Sequence, residues 1–403
     1  MDSLITLDGA LKIIRENVSA SKKLKTEKVD SAYSVGRVIS KDYYSDVDFP
    51  PFNKSAMDGF VVAACDRNEY KIVGSIKAGD FLDIELKEDE CLSIMTGAPV
   101  NKNGIKVIIK ENVDIKGDKI IVKKNSNNDN IAYKGEDLKT LDIAIKKNRL
   151  ISPFSVGILA NCGIKEVEVY KRIKISLAVT GDELVDINEK PNLGMIRNIN
   201  TYSLLSKINS ISFLESLNLG IIKDKLDDTI KTVKSFLDSE SDVLLLSGGS
   251  SKGDFDFVID ALNSLGVKIL FDGVKVQPGK PVIFAKHNDK IIFGLPGNPV
   301  SVLISFEIFV KEVLYRILGL CYEPTIFTAI LEENFIRRNS ERTLFFPIQI
   351  KRINDENLAV PVKYNGSGHI SSYDNISHLG IMEEGVKELK KGSKINVRKL
   401  DFN

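Results

Sequence analysis

The chain has 403 residues, 43% hydrophobic and 28% charged, the balance of a soluble globular protein and too long for one ordinary domain. A net charge of +1 leaves no basic excess that would hold nucleic acid by counterion release. Cys65, Cys91, Cys162 and Cys321 lie far apart with no CxxC pair, and His287, His369 and His378 are scattered, which argues against a disulfide framework and a zinc site. The opening, MDSLITLDGALKII, has no basic segment ahead of an apolar core, so no secretion signal is expected and the localisation reads as cytoplasmic. Leu7, Ala10, Leu11, Ile14 and Val18 repeat with helical period, and Thr6 can cap that helix. Short β-like runs follow at Ala32 to Ile39, Asp58 to Ala64, Tyr70 to Ile76, Cys91 to Met95, Lys106 to Ile109 and Lys119 to Lys123. Turn signals at Ala78-Gly79-Asp80, Gly97-Ala98-Pro99 and Lys116-Gly117-Asp118 separate them, so the region reads as β-rich.

Leu150 to Cys162, with Pro153 near its start and Gly163 after it, predicts a second helix able to pack with the first. From Arg172 the pattern alternates. Strand-like 173–179, helix-like 200–209, strand-like 215–222, helix 227–237, strand 243–246, helix 254–265 and strand 267–271 predict an α/β domain with a mainly parallel sheet. The longest apolar stretch, Pro299 to Leu320, is interrupted by Glu307, Lys311, Glu312 and Arg316, two i,i+4 pairs of a helix that does not span a membrane. Beyond Gly319 short β runs return at 325–331, 343–350 and 395–399.

Asp242 to Val258, DVLLLSGGSSKGDFDFV, is the stretch where chemistry is most expected. A buried-strand run, a Ser/Gly loop and an acidic helix start aim several backbone N–H groups at one point, a concavity suited to an oxyanion. Ser247, Gly248, Gly249 and Ser251 are the candidate anion hosts. Carboxylates at Asp254 and Asp256 would repel phosphate unless a divalent cation stood between. Two further loops belong at C-terminal strand ends, where open parallel sheets bind ligands. One is Thr180-Gly181-Asp182-Glu183. The other is Phe293 to Pro299, where Asn298 can cap a helix begun by Pro299. With Lys275 and Lys280 of KVQPGKP nearby, the set suits a nucleotide phosphate with Mg²⁺ better than a zinc hydrolase. The β-rich part adds three polar turn motifs: Pro50 to Phe60, Met95 to Pro99 and Lys134 to Asp137.

These strings carry a resemblance. PPFNKSAMDGF, IMTGAPV, KGED, TGDEL, SGGSSKGDFDFV, QPGKP, FGLPGNPVSV and GSGH occur in the order found in the molybdopterin molybdotransferases, whose animal relative is the E domain of gephyrin. The resemblance implies a multidomain α/β plus β protein in four parts. They are a discontinuous helical part (1–26 and 147–171), a β-rich domain (27–146), an α/β molybdopterin-binding domain like the adenylyltransferases (172–322) and a C-terminal β barrel (323–403). It implies a homodimer with each site shared between subunits. It also implies insertion of molybdenum from molybdate into adenylylated molybdopterin with Mg²⁺-assisted release of AMP, and a molybdopterin adenylyltransferase as pathway partner. Residues carried over are Asp58, Glu183 and Asp256 for polar or metal-linked roles, with Glu183 and Asp256 as metal candidates. Thr96 and Asp137 are carried over as binding positions, Lys275, Lys280 and Ser367 as anion contacts, and Pro296 and Pro299 as loop shapers beside Asn298. Alternative readings are a pterin adenylyltransferase and a non-catalytic dimeric scaffold. The chain departs from the family pattern at Ala132, usually Arg, at Ser250 and Lys252, usually apolar, and at Asn198-Ile199-Asn200. Lys252 is expected to compensate for the missing arginine.

Overall fold

The computed structural model describes residues 4–20, 24–80, 84–248, 254–366 and 368–400, the side chains of 254–256 excepted. Its helices are α1 (Leu7–Asn17), α2 (Pro153–Asn161), α3 (Ile199–Asn209), α4 (Leu226–Asp238), α5 (Asp254–Ser264), α6 (Pro299–Ser305) and α7 (Lys311–Ile317). A π-helical turn, Phe306–Val310, joins the last two into one rod.

The centre is a six-stranded sheet in the order Leu214–Ile222, Ile173–Thr180, Val243–Gly248, Lys290–Leu295, Ile283–His287, Lys268–Asp272. The first four run parallel, and the last two close an antiparallel edge. Val243 to Leu246 are all buried, as a central strand covered on both faces requires. α3, α6 and α7 cover one face with Ile175, Leu177, Leu245 and Phe293. α4 and α5 cover the other with Leu244, Leu246 and Ile292.

α1 belongs to this core. Thr6 caps it by accepting the Gly9 N–H at 3.1 Å, Ala10 and Ile14 are fully buried, and Arg15 Nε lies 3.0 Å from Glu312 Oε1 on α7. Among the described residues α1 therefore packs chiefly on α7 and not, as expected, on the second helix. α2, started by the reciprocal Ser152 and Ser155 cap with Pro153 in its first turn, packs Leu159 on a separate cluster with Ile39, Ile145 and Val167. Thr26–Asp30 and Glu166–Tyr170 do pair antiparallel, stitching two distant pieces of chain together. The strand expected over 32–39 is also absent. Asp30 accepts the Ala32 N–H at 2.9 Å and turns Ser31–Tyr33 into a 3₁₀ helix, leaving only isolated bridges at Val38 and Ile39.

The β-rich region forms a second six-stranded sheet, with Gly59–Val62 between Lys106–Ile109 and Glu90–Ile94. In the C-terminal region five strands close into a barrel. Thr343–Ile353 pairs with Glu356–Pro361 on one side and His378–Met382 on the other, and Ile326–Leu331 and Lys394–Lys399 complete the ring. Phe346 fills the barrel and stacks on Phe335 at 4.0 Å.

Candidate functional site

Three chain segments end together at the C-terminal edge of the central sheet. Thr180 pairs with Gly248 across two parallel strands. A Cβ at Gly248 would stand 2.0 Å from Thr180 Oγ1 and 2.4 Å from its carbonyl oxygen, so only glycine lets these strand ends close. Glu183 is exposed, and its Oε2 lies 2.8 Å from where a Cβ on Gly181 would be, folded back over the strand end.

Behind them is a buried polar knot. Asn200, in the first turn of α3, donates from Nδ2 to the Gly297 carbonyl at 2.7 Å and to Ser247 Oγ at 3.1 Å. Ser247 Oγ in turn donates to the Pro296 carbonyl at 3.2 Å. The knot fastens the Pro296 to Pro299 loop to the central strand and to the helix start. Asn198 caps α3, accepting the Thr201 N–H at 3.1 Å while its Nδ2 donates to Thr201 Oγ1 at 2.8 Å. Among the described residues, the buried Asn200 Oδ1 has no partner.

Several expected roles change here. Ser247 is fully buried, and its hydroxyl accepts from Asn200 and donates to the Pro296 carbonyl, so that hydroxyl pins a loop. Asn298 stands at the N-cap position before Pro299, but its exposed carboxamide makes no capping bond. Lys275 Nζ pairs with Glu384 Oε1 at 2.7 Å, a tie to the C-terminal region that occupies the charge expected to meet an anion. Lys280 is exposed, in a loop bent by the cis bond Gln277–Pro278 and by Gly279 at φ +109°. Pro296 is buried and Pro299 opens α6. Asp256 lies in the first turn of α5, and its side chain is outside the described residues, as are Gly249, Ser251, Lys252 and Ser367.

The β-rich region brings its three motifs into one surface. Lys54–Ser55 pairs with Ile131–Ala132, and Lys54 also bridges Pro99. Asn53 Oδ1 accepts the Lys134 N–H at 2.9 Å, and the Gly135 N–H donates to the Pro50 carbonyl at 2.9 Å after the cis bond Phe49–Pro50. Asp58 Oδ1 accepts both the Thr96 N–H at 2.7 Å and the Thr96 hydroxyl at 2.8 Å. Those two bonds, with Lys110 nearby, hold the exposed Asp58 carboxyl below its ordinary value. Asp137 is exposed, its N–H donating to the Phe49 carbonyl at 3.1 Å, and Ala132 is half-buried. Around this surface Phe52, Met57, Met95 and Tyr133 are exposed. Among the described residues, no backbone hydrogen bond joins 43–146 to 172–322.

Sequence reasoning missed the part played by Asn200 and Asn53. The signal for Asn200 was its place two residues after a helix cap and directly at the sheet edge.

Residues 5–163 match the family described as MoeA N-terminal region (domain I and II), and residues 176–316 match a probable molybdopterin binding domain. A molybdopterin molybdenumtransferase of Staphylococcus aureus is 31% identical over 377 residues, covering 90% of this chain and 88% of its own. A putative molybdopterin biosynthesis protein of Methanocaldococcus jannaschii is 30% identical and covers 98% of both chains. The crystal structure of the molybdopterin biosynthesis moeA protein from Pyrococcus horikoshii OT3 superposes with a TM-score of 0.82 at 26% identity, covering 98% of this chain and 100% of that one.

Proposed function

The chain belongs to the molybdopterin molybdenumtransferase family, transferases of molybdenum cofactor biosynthesis, and from that premise we propose that it inserts molybdenum from molybdate into adenylylated molybdopterin with Mg²⁺-dependent release of AMP. The observation that carries the reading is the sheet edge where Gly248, Glu183 and the Pro296 to Pro299 loop converge over the Asn200 knot. Such an edge is where open parallel sheets take phosphate-bearing ligands.

The residues present fit a magnesium ion of the substrate-bridging kind. Among the described residues no group of three His, Cys, Asp or Glu side chains is arranged to cage a metal. Mg²⁺ does not need one, because it is held by one or two carboxylates, water and substrate phosphates. Glu183, whose carboxylate overlies the strand end, and Asp256 would hold it. When bound, the ion neutralises charge developing on the oxygens of the phosphoanhydride. The chain's own part is positional. Asn200 and Ser247 fix the loop against which the adenylate lies, and Thr96 fixes the Asp58 carboxylate as an ionised acceptor facing out of its surface.

We also propose a homodimer in which the Asp58 surface of one subunit completes the Glu183 edge of the other. Both surfaces are open in a single chain and rimmed by apolar side chains, Phe52 and Met57 at one and Leu193 and Ile196 at the other. A molybdopterin adenylyltransferase would supply the substrate. Incubating the protein with adenylylated molybdopterin, with and without molybdate and Mg²⁺, tests the reaction: AMP release that requires both ions supports it, and no release with both present overturns it. Mixing Asp58→Asn with Glu183→Gln protomers tests the shared site. A randomly exchanged mixture, half of it heterodimers with one intact site of two, should recover about a quarter of wild-type turnover, and no recovery would exclude a site built across the interface.

A further inference from the structure

We propose that Glu384, carried by the C-terminal region, is an internal competitor for the oxyanion at the sheet edge: it occupies Lys275, and an anion binds more tightly when Glu384 lets go. The inference rests on the reading above and concerns the regulation of the same site. Lys275 and Lys280 share the connection from Asp272 to Ile283. That connection emerges at the edge carrying the Pro296 to Pro299 loop, because Asp272, Ile283 and Gly294 are register partners on three neighbouring strands. It lies on α6, where a Cβ at Gly279 would stand 2.8 Å from Ser305 Oγ and 3.8 Å from the Ser301 carbonyl oxygen. Its neck is narrow. The Lys280 carbonyl accepts the Val274 N–H at 2.9 Å, so the two lysines leave the backbone close together. The exposed Lys280 ammonium has no ion pair among the described residues, whereas Lys275 Nζ lies 2.7 Å from Glu384 Oε1.

A surface ion pair is ordinarily worth little, because two long side chains must be held in one geometry and water screens them. Here the backbone under both partners is already held. Glu384 sits in a turn closed by the Val386 N–H and the Glu383 carbonyl at 3.2 Å. Arg337, buried and without an ion pair among the described residues, donates to the carbonyls on either side of Glu384, at 2.5 Å to Glu383 and 2.7 Å to Val386. The Gly385 N–H is tied to the Ser340 carbonyl at 2.7 Å. Lys275 is fixed as firmly, its N–H donating to the Ile5 carbonyl at 2.7 Å and its carbonyl accepting the Thr343 N–H at 3.0 Å. A buried arginine spent on carbonyls thus presents one carboxylate to one ammonium. The pair stays within reach of a dissolved ion, with side chains 33% and 39% exposed. An ammonium already neutralised by a carboxylate attracts a second anion weakly. The coupling is reciprocal: an oxyanion that takes Lys275 loosens this tie to the C-terminal region, and drawing the Glu384 turn away strengthens anion binding.

The test titrates the full-length protein with molybdate by calorimetry, in wild type, Glu384→Gln, Lys275→Gln and the double variant. Glu384→Gln should bind roughly 3- to 10-fold more tightly, the worth of one partly exposed charge-assisted contact. Lys275→Gln and the double variant should stay at the wild-type value, because the gain passes through the Lys275 ammonium. Unchanged melting of Glu384→Gln shows that the fold is intact. Four outcomes overturn the proposal: wild-type affinity in Glu384→Gln, the same gain in the double variant, weakened binding in Lys275→Gln, or no molybdate binding in any of the four proteins. Assaying AMP release from adenylylated molybdopterin alongside separates this proposal from the functional reading. If wild type releases AMP and Glu384→Gln shows no gain, the function stands and the competitor falls. If the gain appears and depends on Lys275 while wild type never releases AMP, the competitor stands and the functional reading fails.

Discussion

Replacing Asn200 tests whether the polar knot holds the sheet edge together. In Asn200→Ala, two buried bonds from Nδ2 are lost, at 2.7 Å to the Gly297 carbonyl and 3.1 Å to Ser247 Oγ. At about 1 kcal/mol net each, plus about 1–3 kcal/mol for a buried carbonyl left without a donor, the gross cost is about 3–5 kcal/mol. Removing the unpaired Oδ1 gives back about 1 kcal/mol, leaving about 3 kcal/mol as the central value. For a domain of this size that lowers the melting temperature by about 6–12 °C, read by calorimetry or by urea unfolding of the α/β transition. Asn200→Asp sharpens the test because it keeps the shape and removes the donors. Its buried carboxylate would face the Gly297 carbonyl, so its folded-state pKa is raised. The stability tied to the neutral acid is then fully present below about pH 4, where the unfolded chain also binds the proton, and is lost as pH rises through the folded value. The aspartate variant should be less stable than the alanine variant at pH 7 and recover on acidification. An Asn200→Asp protein as stable as wild type at pH 7 would refute the account of the knot.

Other outcomes follow from single contacts. Thr96→Val removes one of the two bonds that lower the Asp58 pKa, so its titration by carboxyl NMR should move up toward the ordinary aspartate range. Because the folded value is depressed, the associated stability exists above the unfolded pKa and disappears as pH falls through the folded one; an unmoved titration would contradict the assignment. Glu307→Gln strips the carboxylate shared by Lys207 and Lys311 in a site about 3% exposed, and should cost about 3–5 kcal/mol in denaturant melts. A cost under about 1 kcal/mol would mean the cluster is not held by charge. Lys275→Gln should leave molybdate affinity unchanged, since Lys275 is paired with Glu384; a large loss of affinity would restore it to the anion site. Of the four cysteines, exposed Cys65 and Cys321 should react with a thiol reagent in the native protein, whereas Cys91, whose thiol burial pushes up to about 12, should not.

What could be read from the chain follows the range over which each force acts. Local signals were legible: Thr6 capping α1, Pro153 opening α2, and the run Lys106–Ile109 are fixed by neighbours within one turn or one strand. The i,i+4 pairs Glu307–Lys311 and Glu312–Arg316 were legible too, and both form, at 3.0 and 2.9 Å. Their surroundings were not. Charges at that spacing suit a water-facing helix, yet Glu307 and Lys311 are buried, because Lys207 arrives from α3 and Arg398 donates to the Glu307 carbonyl from the last strand, 91 residues away. The same limit hid the destination of α1, which lies on α7 across almost the whole chain. At the site, residue types announced a loop that could meet an anion and put Gly248 there as an anion host; what the sequence did not show is that nothing larger than glycine at 248 clears Thr180 on the neighbouring strand. Which polar atoms remain to meet a ligand depended instead on what the rest of the chain had already claimed. Ser247 and Lys275 had the right chemistry and were already engaged, by the Pro296 carbonyl and by Glu384.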